Sequence, residues 1–237
     1  MCWDLSSLRK AVKKLYGQEH LERLSPSLDS IVERQEFCRL YFHEAKDTLE
    51  AMLYDKTDEM SLLDLVLPVA AEERKIFENC KFRARAHVTS CLQNMHSVSD
   101  ILGHVIYYSL KLEKAKQERD ICLAKISKWI EEDCALKPLH TMLNNLVKHD
   151  DYKYLKALVN HSKHRSIIEP YFNVTLRKHG RGMQELRFRG FVHDRKKYQS
   201  RLVYDFLESE FNRESLLIID IGNEVHRLVY ERANEAL

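Results

Sequence analysis

Apolar positions three and four residues apart dominate this chain, and the spacing changes to every second position in a single region. Asp4 is placed to cap a short helix that runs to Tyr16 and stops at Gly17. Ser25-Pro26 then opens a second, longer helix, with proline at a tolerated first-turn position. Leu28, Ile31, Cys38, Tyr41, Phe42, Ala45, Leu49 and Met52 form its apolar face, and the polar run 55–59 ends it. Residues 69–112 contain no proline and only Gly103, which predicts a very long helix with a break near Asn79–Lys81. Its stripe is Ala84, Val88, Cys91, Met95, Val98, Leu102, Val105 and Ile106. Shorter helices are expected at about 117–132, 138–148 and 151–163, the last capped by Asp150 or Asp151. A final helix over 213–236 carries Leu216, Leu217, Ile221, Val225, Leu228 and Val229 on its buried face.

Between the last two helices the period changes. Phe172, Val174 and Leu176 alternate with polar residues over Tyr171–Lys178. Leu186, Phe188 and Val192 alternate with Arg187, Arg189 and Phe191 over Gln184–His193. The turn signal His179-Gly180-Arg181-Gly182 lies between the two runs, so a β-hairpin is expected, one face greasy and the other bearing arginines. Such a hairpin is marginal alone and has to pack on helices. Residues 195–209 fit either a third strand or a helix. No repeat, low-complexity tract or linker divides the chain. The expected fold is mainly α, a single domain over 1–237: a bundle of long antiparallel helices with a β-hairpin insertion, about 170–193, before the C-terminal helix.

Composition agrees with that picture. The chain has 237 residues, enough for a sizeable core, and only 6 glycines and 4 prolines, too few for the turns of an all-β fold. Its net charge of +2 implies no partner, but the distribution does more. Residues 151–201 hold 13 Lys/Arg against four acids, so this stretch carries +9 and the remainder −7. A basic segment on an acidic body can attract a polyanion, and it can equally be compensated internally by the acidic helices. The six cysteines (Cys2, Cys38, Cys80, Cys91, Cys122, Cys134) form no CxxC pair, disulfide framework or zinc ribbon. Cys38 and Cys91 fall on apolar faces, where a thiol acts as a small hydrophobe. The start Met1-Cys2-Trp3-Asp4 does not read as a signal peptide, and no apolar run approaches membrane-spanning length. A reducing cytoplasm is the expected compartment, with no membrane partner.

The densest chemistry lies in Val159-Asn160-His161-Ser162-Lys163-His164-Arg165, at the end of a predicted helix. Asn160, Lys163 and His164 share a helical face. An imidazole there can exchange a proton with a ribose hydroxyl or a leaving oxygen, while Lys163 and Arg165 stabilise charge on a phosphate and Asn160 orients the reacting groups. The plainer alternative is a basic helix C-terminus whose cations complement the macrodipole.

The order Asn160-x-x-x-His164 on a late helix of a helical bundle resembles the HEPN superfamily, whose motif reads Arg, a polar residue, three variable residues, then His. The resemblance implies a bundle of four or five helices, often dimeric. It also implies a metal-independent ribonuclease of defence, toxin or RNA-processing systems, with Arg and His meeting in a cleft between two copies. This chain departs at the Arg position, which holds Val159. Arg165 is a substitute in charge but not in angular position.

A second stripe, His96, Asp100 and His104, could form another cleft wall if it meets the 160–165 helix or a second subunit. Lying opposite Cys91, Met95 and Leu102, it is expected to be solvated. The dipeptide His149-Asp150 suggests metal-dependent HD phosphohydrolases, yet it is a single dipeptide and Asp150 already has a capping role. Arg177, Arg187 and Arg189 on the hairpin, with Tyr171 and Phe191 nearby, suit RNA, and they equally deter edge-to-edge pairing. No phosphate-cradling loop, Gly-x-Ser-x-Gly elbow or His-Glu-x-x-His helix occurs, and no cofactor or metal is implied. Two expectations follow. One is an RNA-directed, HEPN-like protein with metal-independent ribonuclease activity at His164. The other is a non-catalytic helical module that binds RNA or an acidic protein.

Overall fold

The computed structural model describes residues 3–54, 61, 64, 71–175 and 183–235. It is mainly α, built from long antiparallel helices with β structure inserted before the last of them. Helix α1 is Leu5–Tyr16, α2 Gln18–Leu53, α3 Ala71–Leu110, α4 Leu123–Ile130, α5 Lys137–Lys148 and α6 Asp150–His164. Strands β1 Pro170–Thr175, β2 Met183–Phe188, β3 Phe191–His193, β4 Lys196–Tyr198 and β5 Arg201–Leu202 follow, and α7 spans Val203–Glu235.

The chain clusters into two compact units. Unit 1 comprises residues 1–36, 94–153 and 210–237, and unit 2 comprises 37–93 and 154–209. In unit 1 the core joins Leu8 and Val12 to Leu24, Leu28 and Ile31, then to Leu102, Ile106, Ile126, Leu139, Leu143, Ile221 and Val225. Gly222 is required there, because a methyl at that position would overlap the indole of Trp3. In unit 2 the buried set includes Ala45, Leu49, Phe77, Ala84, Val88, Leu155, Phe188 and Phe206. Phe77 meets Phe172 edge-on at 5.2 Å, which seats β1 on α3. Cys38 and Cys91, both buried, each aim the thiol at the other's backbone carbonyl, at 3.9 and 3.5 Å.

The short elements follow the expected local chemistry. Asp4 Oδ1 accepts from the Ser7 amide at 2.9 Å, and Gly17, at φ 87°, returns its N–H to Lys13 O. Several boundaries differ. Helix α2 starts at Gln18, so Pro26 lies inside it rather than at its first turn. The missing Pro26 N–H costs one ladder bond, and burial of Leu24, Leu28 and Ile31 offsets that loss. Helix α3 is continuous through Asn79–Lys81, where Lys81 bonds Glu78 at 2.6 Å and no helix breaker intervenes. The cap of α6 is His149 rather than an aspartate: its carbonyl accepts from Lys153 N and its Nδ1 from Asp151 N. Helix α7 begins ten residues before the expected start. Its buried stripe runs through Ile218, Ile221 and Val225, leaving Leu216 66% exposed.

The hairpin forms in register, Pro170 opposite Phe188 and Thr175 opposite Met183, while its turn at 179–182 lies outside the described residues. The second strand stops at Phe188 instead of reaching His193. Gly190 passes close to the Tyr198 carbonyl, where a side chain would crowd it, and the chain turns into a separate hairpin, β3 with β4. Residues 195–209 therefore supply both alternatives: β4, then β5 paired to β2, then the first turns of α7.

Candidate nucleic-acid interface

Within unit 2, the end of α6 and the β3–β4 hairpin are held side by side. His161 Nδ1 lies 2.8 Å from the Ser166 carbonyl, and its ring packs edge-on against Phe191 at 5.7 Å and lies 6.2 Å from His193. His193 Nε2 is 3.3 Å from Asp194 Oδ2. His161 belongs to the cluster that stands out in the sequence, though with no role read for it there, and His193 does not stand out. The signal for His161 was its phase, three residues after Leu158, a core position.

The predicted cluster surrounds this contact. Asn160 is half-buried, whereas Lys163, His164 and Arg165 are exposed, and the described residues give them no ion pair. Val159, where the HEPN motif has arginine, is 1% exposed and belongs to the core. On the hairpin, Arg195, Lys196 and Lys197 are exposed, and Lys196 lies over the Tyr198 ring at 5.1 Å. Asp194 and Arg195 both have positive φ, 47° and 62°, which is the two-residue turn that matches strand twist.

The hairpin arginines divide. Arg177 lies outside the described residues. Arg187 is half-buried and committed inward, its Nε donating to Ser200 Oγ and its Nη1 to Glu185 Oε2. Arg189 is exposed and lies over the Tyr171 ring, centroid distance 5.3 Å. Beside it, Lys81 and Arg85 from α3 help to line a cavity of about 310 Å³ together with Tyr171 and Glu169. Lys81 pairs with Glu78, and Arg85 with Glu169 at 3.4 Å. Lys81 and Arg85 were absent from the sequence-derived set, because nothing in a helical charge pattern tells which cations a distant strand will meet.

The stripe on α3 lies in unit 1. His96 is 5% exposed and stacks on Tyr152, centroids 6.4 Å apart, so the expectation of a solvated histidine is corrected. The first turn of α6 covers it. Asp100 is exposed, 3.4 Å from His96 Nδ1, and His104 is half-buried near Tyr108. Burial raises the Tyr152 phenol well above its ordinary value, and the carboxylates of Glu214, Asp100 and Glu210 push it further in the same direction.

Also in unit 1, His149, Asp151 and Glu210 offer ligand atoms within 4.8 Å of one another, a donor set that suits a divalent metal. The pairing there is already strong. Both oxygens of the fully buried Glu210 accept from Arg213 at 2.6 Å, and His149 Nδ1 is the acceptor that caps α6. That geometry accounts for Glu210 as half of an ion pair and His149 as a helix cap, with Asp151 Oδ2 3.6 Å from the His149 ring. Asp150, the HD aspartate, points instead to Lys153 at 3.2 Å.

No family model matches this chain, and no curated protein or solved structure matches it. Among the described residues no helix is long and apolar enough to cross a membrane.

Proposed function

We propose that this chain is an RNA-directed binding protein whose unit 2 carries the polyanion surface. The observation behind this reading is a set of exposed cations with no carboxylate partner among the described residues: Lys156, Lys163, Arg165, Arg189, Arg195, Lys196 and Lys197. Exposed acids of the same stretch, 154–202, are Glu169 and Asp194, each already beside Arg85 or His193. Unpaired, solvated cations can release condensed counterions from a nucleic acid without first breaking an internal ion pair. An aromatic ring among them, Tyr171 beside Arg189, favours RNA over an acidic protein, since bases stack where carboxylates do not.

Binding, rather than cleavage, is the better reading of His164. Its ring is exposed and no described residue bonds to it, whereas a general acid or base needs an orienting partner. The test uses single-stranded RNA and total RNA with the protein and its His164→Ala variant, with and without a chelator. Binding by both proteins with intact RNA is the expected result. Cleavage that survives the chelator and disappears in His164→Ala would replace this reading with a metal-independent, HEPN-like ribonuclease. Failure to bind RNA at low salt would sink it.

A further inference from the structure

Two cavities in unit 2 meet at one ion pair. The first, about 310 Å³, is lined by Lys81, Arg85, Glu169, Tyr171 and Arg189 among others. The second, about 350 Å³, is walled by Phe82, Ala86, Thr89 and Ile167, with Arg85 and Glu169 again at its edge. The two therefore share a partition made by the Arg85–Glu169 pair, but their chemistry is opposite. One side presents three cations against the carboxylates of Glu78 and Glu169, and the other is a hydrocarbon and aromatic wall.

We infer that this pair of cavities is a binding site for one nucleotide unit, with the base on the Phe82 side and the phosphate on the Arg189 side. The ring of Phe82 is 63% exposed and Ile167 is 55% exposed, and large apolar side chains left open to water at the mouth of a cavity are where a flat base gains contact. Arg85 lies 6.0 Å over the Phe82 ring, so a guanidinium flanks the stacking position. On the other side Arg189 is held by Tyr171 through its π face and keeps its N–H donors for a phosphate. Arg85 is bound to Glu169 loosely, at 3.4 Å, and its planar fork can turn to a phosphate oxygen without leaving the partition. A ribose is the group that separates base from phosphate, and the partition is where it would lie. Glu169, 64% exposed by side chain, is the acceptor available there for a sugar hydroxyl. Both volumes fall within the range of small-molecule sites.

This inference deepens the RNA reading, and the nucleotide could come from a free pool or from a single strand. The test separates these sources. Adenosine 5′-monophosphate, adenosine and inorganic phosphate are titrated calorimetrically against the full chain, and a short single-stranded RNA is measured beside them. The monophosphate is expected to bind at least about tenfold tighter than either adenosine or phosphate alone. Phe82→Ala should weaken the monophosphate and adenosine together by about tenfold, and Arg189→Ala should weaken the monophosphate while leaving adenosine unchanged. Both side chains are exposed, so neither variant threatens the fold. Equal affinity for monophosphate and phosphate would reduce the site to an anion contact and overturn the inference. So would monophosphate binding that ignores Phe82→Ala. If RNA binds while the monophosphate does not, and Phe82→Ala leaves RNA affinity unchanged, the inference falls and the RNA reading stands. If the monophosphate binds as expected and RNA does not, the site holds for a free nucleotide and the RNA reading falls.

Discussion

Tyr154 concentrates the residue-scale energetics of unit 2. Its ring touches Phe188, Phe191, Tyr198 and Phe206, and the Arg201 guanidinium lies over it at 4.4 Å. The hydroxyl is buried with no hydrogen-bond partner among the described residues. Burial pushes its phenol up to about 12 from the ordinary 10.0, against the opposing fields of Arg201 and Arg187. The folded protein thus keeps a proton that the unfolded chain releases. That contribution to stability is complete below the ordinary value and is lost as pH rises through the folded one. Tyr154→Phe should therefore show a smaller fall in stability between about pH 10 and 12 than the parent, measured by denaturant unfolding across that range. At neutral pH the substitution removes an unsatisfied group, and stability is expected to hold or rise by up to about 1 kcal/mol. Tyr154 does not stand out in the sequence, because its partners come from five separate elements that only the fold assembles. Val159, His161 and His164 show the converse: their burial as core, flank and solvent follows from their phase on one helix.

At the scale of elements, the β3–β4 hairpin is the informative piece. Asp194 and Arg195 both occupy the left-handed region, where glycine is the natural choice at the second position. A side chain there costs about 1 kcal/mol, and strain of this kind persists where another requirement overrides it. On the proposed RNA reading, that requirement is the charge itself. Arg195→Gly is expected to raise stability by about 1 kcal/mol and to lower RNA affinity in the same preparation, read by thermal unfolding and by anisotropy of labelled RNA. A variant that gained stability with no loss of affinity would separate the turn from the interface. The sequence announced the first hairpin through strict alternation of Phe172, Val174 and Leu176 against polar neighbours. It concealed the second, since two three-residue strands joined by Asp194-Arg195 carry no Asn-Gly signal. The early start of α7 was hidden for a related reason: Val203, Phe206 and Leu207 are buried, but the strand-like run before them blurs the period.

The whole molecule separates its charge along the chain, and this was fully legible, because a count of Lys and Arg needs no coordinates. What composition left open was whether the basic stretch is neutralised internally. The structure describes partial neutralisation: Arg187 and Lys153 have carboxylate partners, while the cations of the α6 end and of the β3–β4 turn stand in solvent. RNA affinity should accordingly fall steeply with salt. Replacing Arg195, Lys196 and Lys197 together by alanine should reduce the log–log slope by about 2, at roughly 0.7 per phosphate for a single strand. An unchanged slope would place the contacts elsewhere. The fold class was equally legible, from unbroken helical spacing over α2 and α3. The division into two compact units was not, since its boundaries fall inside α2, α3, α6 and α7, where no linker composition can mark them.

The notch at Gly222 has a consequence for how this chain can vary. With the indole of Trp3 filling the space beside it, a larger residue at position 222 requires the side chain at position 3 to shift or shrink in step. Two sites at opposite ends of the sequence are therefore coupled as a pair. In diverging descendants of this chain, one should be seen to change only where the other has already made room.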